Sequence, residues 1–326
     1  MSKNKKSKYL KITAITAGAV SVVYFIIGEL SYLFSLTRQG LNSKIVNDII
    51  DKNKLKKPTD IYREKLDNMI IDGKNWLEQQ SLEKIVIERE NDKNLHADFL
   101  PAAKKSNIFV ISNHGYNSAP HNMGIYAKEF HNMGFNVLLP SLRGHADSEE
   151  DFITMGWKDR LDVIDWINYI IEKHPNCKII LHGVSMGGAT TMMTIGEKLP
   201  KNVKLAIEDC GYTNAWEILG MKLTKNIKLP VFPFLYSANE INKIRERFDL
   251  KKASALEQIK KSITPTLFIH GEKDTFVPFS MLDEVYNAAT SIKEKIAIPD
   301  APHARSVCAH PDMYWNAVKS FIKKYI

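Results

Sequence analysis

The segment KIILHGVSMGGATTMMTIGEK, residues 178–198, decides the fold. Residues 178–182 form a short apolar run that reads as a buried strand, and residues 187–198 read as a helix. Between them stands Gly183-Val184-Ser185-Met186-Gly187, followed by Gly188. A serine in such a strand–turn–helix setting is placed for chemistry. The sharp turn lifts its hydroxyl clear of the sheet, glycines two residues to either side prevent crowding, and the helix start adds positive potential. The bare Gly-x-Ser-x-Gly pattern arises by chance in about one chain in ten of this length, so its context must carry the argument.

Outward from this segment, strands and helices alternate. Residues 83–90 and 95–101 read as a β-hairpin around Asn91-Asp92-Lys93. Strands are expected at 107–112, 135–140, 203–209, 266–270 and 295–299, and helices at 122–132, 159–173, 279–290 and 311–324. A further helical pattern begins at Thr59 and runs past Trp76 and Leu77. Short apolar strands separated by helices mean an α/β fold whose sheet is mostly parallel and covered on both faces.

Two partners for Ser185 follow in the chain. The stretch HGEKDTFVP, residues 270–278, places Asp274 in a loop after one strand, and DAPHA, residues 300–304, places His303 after the next. All three residues leave the carboxyl edge of one parallel sheet, where open α/β sheets bind ligands. His303 is then the base that removes the serine proton, and Asp274 fixes its tautomer and stabilises the imidazolium. Asp209, at the end of its own strand, is a rival acid in a poorer loop, and His310 is the alternative base. An oxyanion hole needs two backbone N–H donors. Met186, after the nucleophile, offers one, and Tyr116 in Asn113-His114-Gly115-Tyr116 offers the second, with Gly115 permitting the turn that aims it. The His114 side chain reads as structural, because the donor required is main-chain.

His114-Gly115, Leu142-Arg143-Gly144-His145, Gly183–Gly188, His270-Gly271-Glu272-Lys273-Asp274 and Pro302-His303 together resemble bacterial α/β-hydrolases described as cell-surface hydrolases. The resemblance covers residues 60–326. It implies the eight-stranded α/β-hydrolase sheet, a Ser-Asp-His triad on the positions given, no cofactor, and esterase- or peptidase-like relatives. Ala146 departs from it, since many relatives carry Gly after the Arg-Gly-His turn. Arg143 and His145 read as residues that order that loop.

The net charge of +8 belongs to the leader: residues 1–57 carry eleven Lys and Arg against Glu29, Asp48 and Asp51, and the rest of the chain is balanced. A nucleic-acid binder would carry its basic patch on the folded domain, so that class is excluded. Lys3, Lys5, Lys6, Lys8 and Lys11 precede an apolar run from Ile12 to Leu36 broken only by Glu29. The run is long enough to cross a ~30 Å hydrocarbon core, and Tyr24, Tyr32 and Phe34 suit its distal interface. The small-x-small site at Ala17-Gly18-Ala19 leaves too little apolar chain before it for signal cleavage. Over the alternatives of a cleaved signal peptide and an ordinary amphipathic helix, residues 1–39 are read as a basic leader and single-pass anchor in the cell membrane, 40–58 as a polar stalk, and 59–326 as the catalytic domain. The leading lysines favour an outward-facing domain, although Arg38, Lys44 and the stalk lysines weaken that asymmetry.

Cys177, Cys210 and Cys308 form no disulfide-like or metal-binding pattern, and the chain holds no His-Glu-x-x-His, EF-hand or Walker motif. Residues 211–262, between two strands, are long enough to form a helical cap over the site. Trp216, Leu219, Phe232, Phe234 and Tyr236 are its pocket candidates, against the alternative that they pack the cap onto the body. The expected substrates are small acyl or lipid-like esters, with peptides or amides as the alternative for the same residues. A non-catalytic membrane-bound module is the remaining class, and the complete Ser-Asp-His set argues against it.

Overall fold

Strands buried along nearly their whole length can pair only inside a two-sided sandwich, and five strands of this chain are of that kind: β3 (Ile108–Asn113), β4 (Asn136–Pro140), β5 (Lys178–Val184), β6 (Val203–Asp209) and β7 (Thr266–Gly271). The computed structural model describes residues 3–44, 61–90 and 92–326. With β1 (Glu83–Ile87), β2 (Leu95–Leu100) and β8 (Lys293–Ile298), the strands form one eight-stranded sheet in the order β1-β2-β4-β3-β5-β6-β7-β8. The β1–β2 and β2–β4 pairs are antiparallel and the rest are parallel. The expected hairpin is present as β1–β2; Asn91 of its turn lies outside the described residues.

Helices cover both faces. On one, α3 (Arg63–Glu78), α4 (Gly124–Asn132) and α11 (Pro311–Tyr325) bury Leu77, Phe130 and Phe321. On the other, α5 (Asp159–Lys173), α6 (Met186–Ile195) and α10 (Ser280–Ala288) bury Trp166, Met192 and Val285. Between β6 and β7 the chain runs through α7 (Ala215–Met221), α8 (Val231–Glu246) and α9 (Ala255–Ile259). This is the segment expected to form a cap.

The N-terminal helix α1 (Lys3–Leu36) is 34 residues long, and its stretch Gly18–Leu36 is long and apolar enough to cross a membrane. Its distal part does not stand free. Gly28, Tyr32 and Leu36, four residues apart, share one helix face. Tyr32 and Leu36 are buried, and the Tyr32 hydroxyl donates to Glu246 Oε1 at 2.6 Å. A side chain at Gly28 would meet the Ser237 carbonyl oxygen at 2.7 Å, so the two helices approach closely there. Arg245 pairs with Glu29 at 2.7 Å. Beyond α1 the chain zips onto the body: Ile153 N–H donates to the Leu36 carbonyl and Arg38 N–H to that of Asp151. In α2 (Arg38–Leu41), Gly40 and Leu41 are buried, so the body takes in residues read from sequence as the start of the stalk. Stalk positions 45–58, with Thr59 and the next residue, lie outside the described residues.

Candidate active site

Ser185 closes β5 and opens α6 at φ 59° and ψ −117°, a strained conformation that its surroundings must hold. Its N–H donates to the Asp209 carbonyl at 2.8 Å and its carbonyl accepts from Ala189 N–H. A Cβ on Gly183 would collide with the Gly187 carbonyl oxygen, and one on Gly187 with that of Asn113. Close backbone approach therefore demands both glycines of the motif.

The three residues singled out by sequence come together. Ser185 Oγ lies 2.8 Å from His303 Nε2, and His303 Nδ1 lies 2.7 Å from Asp274 Oδ2. Asp274 Oδ1 accepts the N–H groups of Phe276 and Val277, each at 2.9 Å. Burial alone would raise the Asp274 pKa, but the charge of His303 and hydrogen bonds from His270 and His303 hold it down at about 2. An ionised Asp274 requires the proton of His303 on Nδ1, leaving the Nε2 lone pair to face the serine hydroxyl.

The rivals are placed elsewhere. Asp209 Oδ1 accepts from Ser306 Oγ at 3.2 Å, and burial pushes its carboxyl up to about 6. His310 opens α11, its carbonyl accepting from Tyr314 N–H. His114 is fully buried, with Nδ1 facing the Gly115 carbonyl and Nε2 accepting from Leu142 N–H, and burial pushes it down to about 3. His145 accepts from Asn117 N–H, and Arg143 is bidentate to Asp162, so both tie the loop in place. Ala146 sits at φ 43°, in the left-handed range that favours glycine.

Met186 is the first residue of α6, where helix geometry leaves its N–H without an intrahelical acceptor. Gly115 passes beside the nucleophile: a Cβ there would lie 3.4 Å from Ser185 Cβ. Its φ is not in the left-handed range, so closeness to Ser185, rather than a special turn, is what distinguishes the position. Tyr116 is held from both sides. Its hydroxyl donates to the Ser35 carbonyl of α1 at 2.8 Å, and Lys222 Nζ stands 4.3 Å above its ring. Burial pushes the Lys222 ammonium down to about 8.

Of the pocket candidates, Leu219 is buried, Trp216 and Phe234 are half-buried, and Tyr236 and Phe232 are exposed. Tyr236 meets the Trp216 ring at 5.0 Å and the Phe232 ring at 5.8 Å, and Phe232 in turn meets Tyr24 of α1 at 6.3 Å. A cleft of about 460 Å³ runs along α1, lined by Tyr32, Phe152, Arg245 and Glu246 among others; neither Ser185 nor His303 lines it.

Three neighbours of the site were not assigned roles from sequence. His270 Nε2 lies 3.2 Å from Asp274 Oδ2 and bonds the Val277 carbonyl; burial opposes its charge, but Asp274 outweighs that and raises its pKa. The spacing of His270 and Asp274 was the available signal. Phe276 packs on the His303 ring at 4.8 Å. Cys210 Sγ shares a small space with Asp274 and His303, their ligand atoms all within 4.8 Å of one another. Burial keeps its thiol protonated, and Asp274 and His303 bind each other, so the set suits a proton relay better than a metal, which requires thiolate.

An eight-stranded α/β sheet with a serine lifted on a strained strand-to-helix turn defines a serine hydrolase of the α/β-hydrolase fold. The chain belongs to the prolyl oligopeptidase family, which it matches over residues 121–310, a span that includes Ser185, Asp274 and His303. It is 27% identical over 214 residues to YqkD of Bacillus subtilis, a protein described only as uncharacterized, covering 65% of this chain and 70% of that one. Among solved structures, it resembles the Pyrococcus furiosus esterase Pf2001 with a TM-score of 0.62 at 22% identity, covering 76% of this chain and 92% of the esterase. It also resembles the Pyrococcus horikoshii acylaminoacyl peptidase, with a TM-score of 0.57 at 17% identity over 77% of this chain and 43% of the peptidase.

Proposed function

We propose that Ser185, His303 and Asp274 form a catalytic triad that hydrolyses acyl or lipid-like carboxylic esters through an acyl-enzyme. The observation that carries this reading is the unbroken relay Ser185 Oγ–His303 Nε2 and His303 Nδ1–Asp274 Oδ2, at 2.8 and 2.7 Å. His303 takes the serine proton as Oγ attacks the ester carbonyl, and the N–H groups of Met186 and Tyr116 receive the oxyanion. The imidazolium then protonates the departing alcohol. Water, activated by the same imidazole, releases the acid and restores the serine.

Esters are favoured over peptides by the apolar character of the cap, where Leu219, Trp216 and Phe234 offer hydrocarbon rather than hydrogen bonds. The name of the Pyrococcus furiosus relative points the same way, and that of the acylaminoacyl peptidase keeps amide cleavage as the second reading. We further propose that α1 anchors the chain in a membrane. The deciding experiment sets p-nitrophenyl esters of rising chain length beside amino-acid anilides, using full-length protein in detergent. Esters should turn over at least ~10²-fold faster, and Ser185→Ala should abolish fluorophosphonate labelling and lower kcat by ~10⁴-fold or more. Anilide turnover equal to that of esters would move the assignment to a peptidase, and labelling that survives in Ser185→Ala would remove Ser185 from the mechanism.

A further inference from the structure

A helix that is apolar on every side is ordinarily either buried or in lipid. Helix α1 divides its sides. Gly28 and Tyr32 meet α8, whereas Val23, Ile26, Leu30 and Phe34, at spacings of three and four, are exposed. The docking also sets a length problem. Between Lys11 and Glu29 the sequence offers seventeen uncharged residues. At 1.5 Å per residue they reach about 25 Å, short of a ~30 Å hydrocarbon core. The last of those turns lie alongside α8, since Tyr24 meets Phe232 and Gly28 meets Ser237.

The two helices run in the same direction, and their charge begins at the same level. Residues 231–239 of α8 carry no charged side chain; Glu240, Lys243 and Arg245 follow, with Arg245 bound to Glu29, the first charge on α1 after Lys11. At the uncharged end of α8, Phe232 is 65% exposed and Ile227 is 40% exposed. Lys225 and Lys228, beside them, are exposed and make no ion pair among the described residues. Residues 211–262 carry ten Lys and Arg against five Asp and Glu, although residues 58–326 as a whole are balanced. The cap is therefore the positive end of an otherwise acidic body.

We propose that the tip of the cap, Ile227 and Phe232 with Lys225 and Lys228, is a membrane-inserting surface that enters an anionic phospholipid bilayer beside α1. Insertion of about 5–10 Å is the depth usual for interfacial elements. It brings the boundary at Glu29 and Glu240 to the membrane surface and adds the missing support around the short apolar stretch. The two lysines snorkel to lipid phosphates while the apolar side chains enter the acyl boundary. The cap would then stand where acyl chains already lie, so a lipid ester could reach it without crossing water.

This rests on the anchoring role of α1 and not on the ester reading, so the test reads position rather than activity. Full-length protein is reconstituted into phosphatidylcholine vesicles containing phosphatidylglycerol, with an environment-sensitive fluorophore on Phe232→Cys or on Ile263→Cys. Ile263 is 91% exposed and precedes β7, at the opposite edge of the sheet. The native cysteines are buried and spare the labelling. Doxyl lipids spin-labelled near the carbonyl end of the acyl chain should quench position 232 at least about twofold more than position 263, as expected of an interfacial depth. Lys225→Glu with Lys228→Glu should reduce that difference. Equal quenching at the two positions in vesicle-bound protein would overturn the inserted cap. Failure of the protein to float with vesicles would overturn the anchor on which it rests, whatever the outcome of the ester assay.

Discussion

Replacing Asp274 by Asn tests the relay at the point where the structure dictates the outcome. The carboxylate uses its oxygens unequally: Oδ1 accepts two backbone N–H groups at 2.9 Å, and Oδ2 faces His303 Nδ1 at 2.7 Å. An asparagine must keep its carbonyl oxygen on the two N–H groups, because the reverse orientation leaves both buried donors unpaired at about 1–3 kcal/mol each. Its NH₂ group then points at His303 Nδ1 and donates to it. His303 Nδ1 becomes an acceptor, its proton moves to Nε2, and the atom 2.8 Å from Ser185 Oγ turns from base to donor. Loss of the correct tautomer is worth about 10⁴-fold in kcat, or about 5.5 kcal/mol of transition-state stabilisation. Steady-state turnover of a p-nitrophenyl ester, with thermal unfolding to verify the fold, measures it. Asp209→Asn is the control: its carboxyl contacts Ser306, so less than about a tenfold loss is expected there. If Asp274→Asn retained a tenth of the wild-type rate, or if both variants lost equally, Asp274 would not be the group that orients His303.

Two further outcomes follow from backbone strain and from buried charge. Ala146→Gly should raise stability by about 0.5–1 kcal/mol, the relief of a left-handed alanine less the extra freedom of glycine in the unfolded chain. The residue is exposed at φ 43°, so a lower urea midpoint in this variant would contradict the strain argument. Burial pushes Glu208 up to about 8. A raised carboxyl binds a proton in the folded state that the unfolded state has already released, so it makes stability fall as pH rises from about 4.5 to 8, by up to about 1.4 kcal/mol per pH unit. Glu208→Gln keeps an acceptor for Gly211 N–H and should flatten that slope; unfolding midpoints at pH 5.5 and 8 that differ as much as in wild type would show that Glu208 is already ionised.

How far the molecule could be read from its sequence depended on whether the decisive interactions were local. The parallel strands were legible because burial on both faces leaves little polar alternation, and β5 and β7 appear as apolar runs. Ser185, Asp274 and His303 were legible because each stands at or just beyond the carboxyl end of a strand, so chain order alone brings them to one edge. The role of His270 was less legible: it looks like the last residue of a strand, its spacing from Asp274 is the one signal, and only the returning loop brings Asp274 to 3.2 Å from it. The exposure of Phe232 was equally hidden, since an apolar ring between prolines and aromatics reads as packing or pocket until the face it turns to is known.

The docking of α1 was hidden for a different reason. A body-facing stripe stands out in sequence only against a polar background, and Gly28, Tyr32 and Leu36 lie in a helix whose other face is also apolar. Hydropathy averages the two faces into one span. What separates them in the structure is steric and polar detail: a glycine where the Ser237 backbone approaches, a tyrosine hydroxyl meeting Glu246, and Arg245 meeting Glu29. The same helix end reaches the site, because the Ser35 carbonyl receives the hydroxyl of Tyr116, whose own N–H is the proposed oxyanion donor. A segment that hydropathy assigns to the membrane alone thus also helps to fix the loop beside the nucleophile.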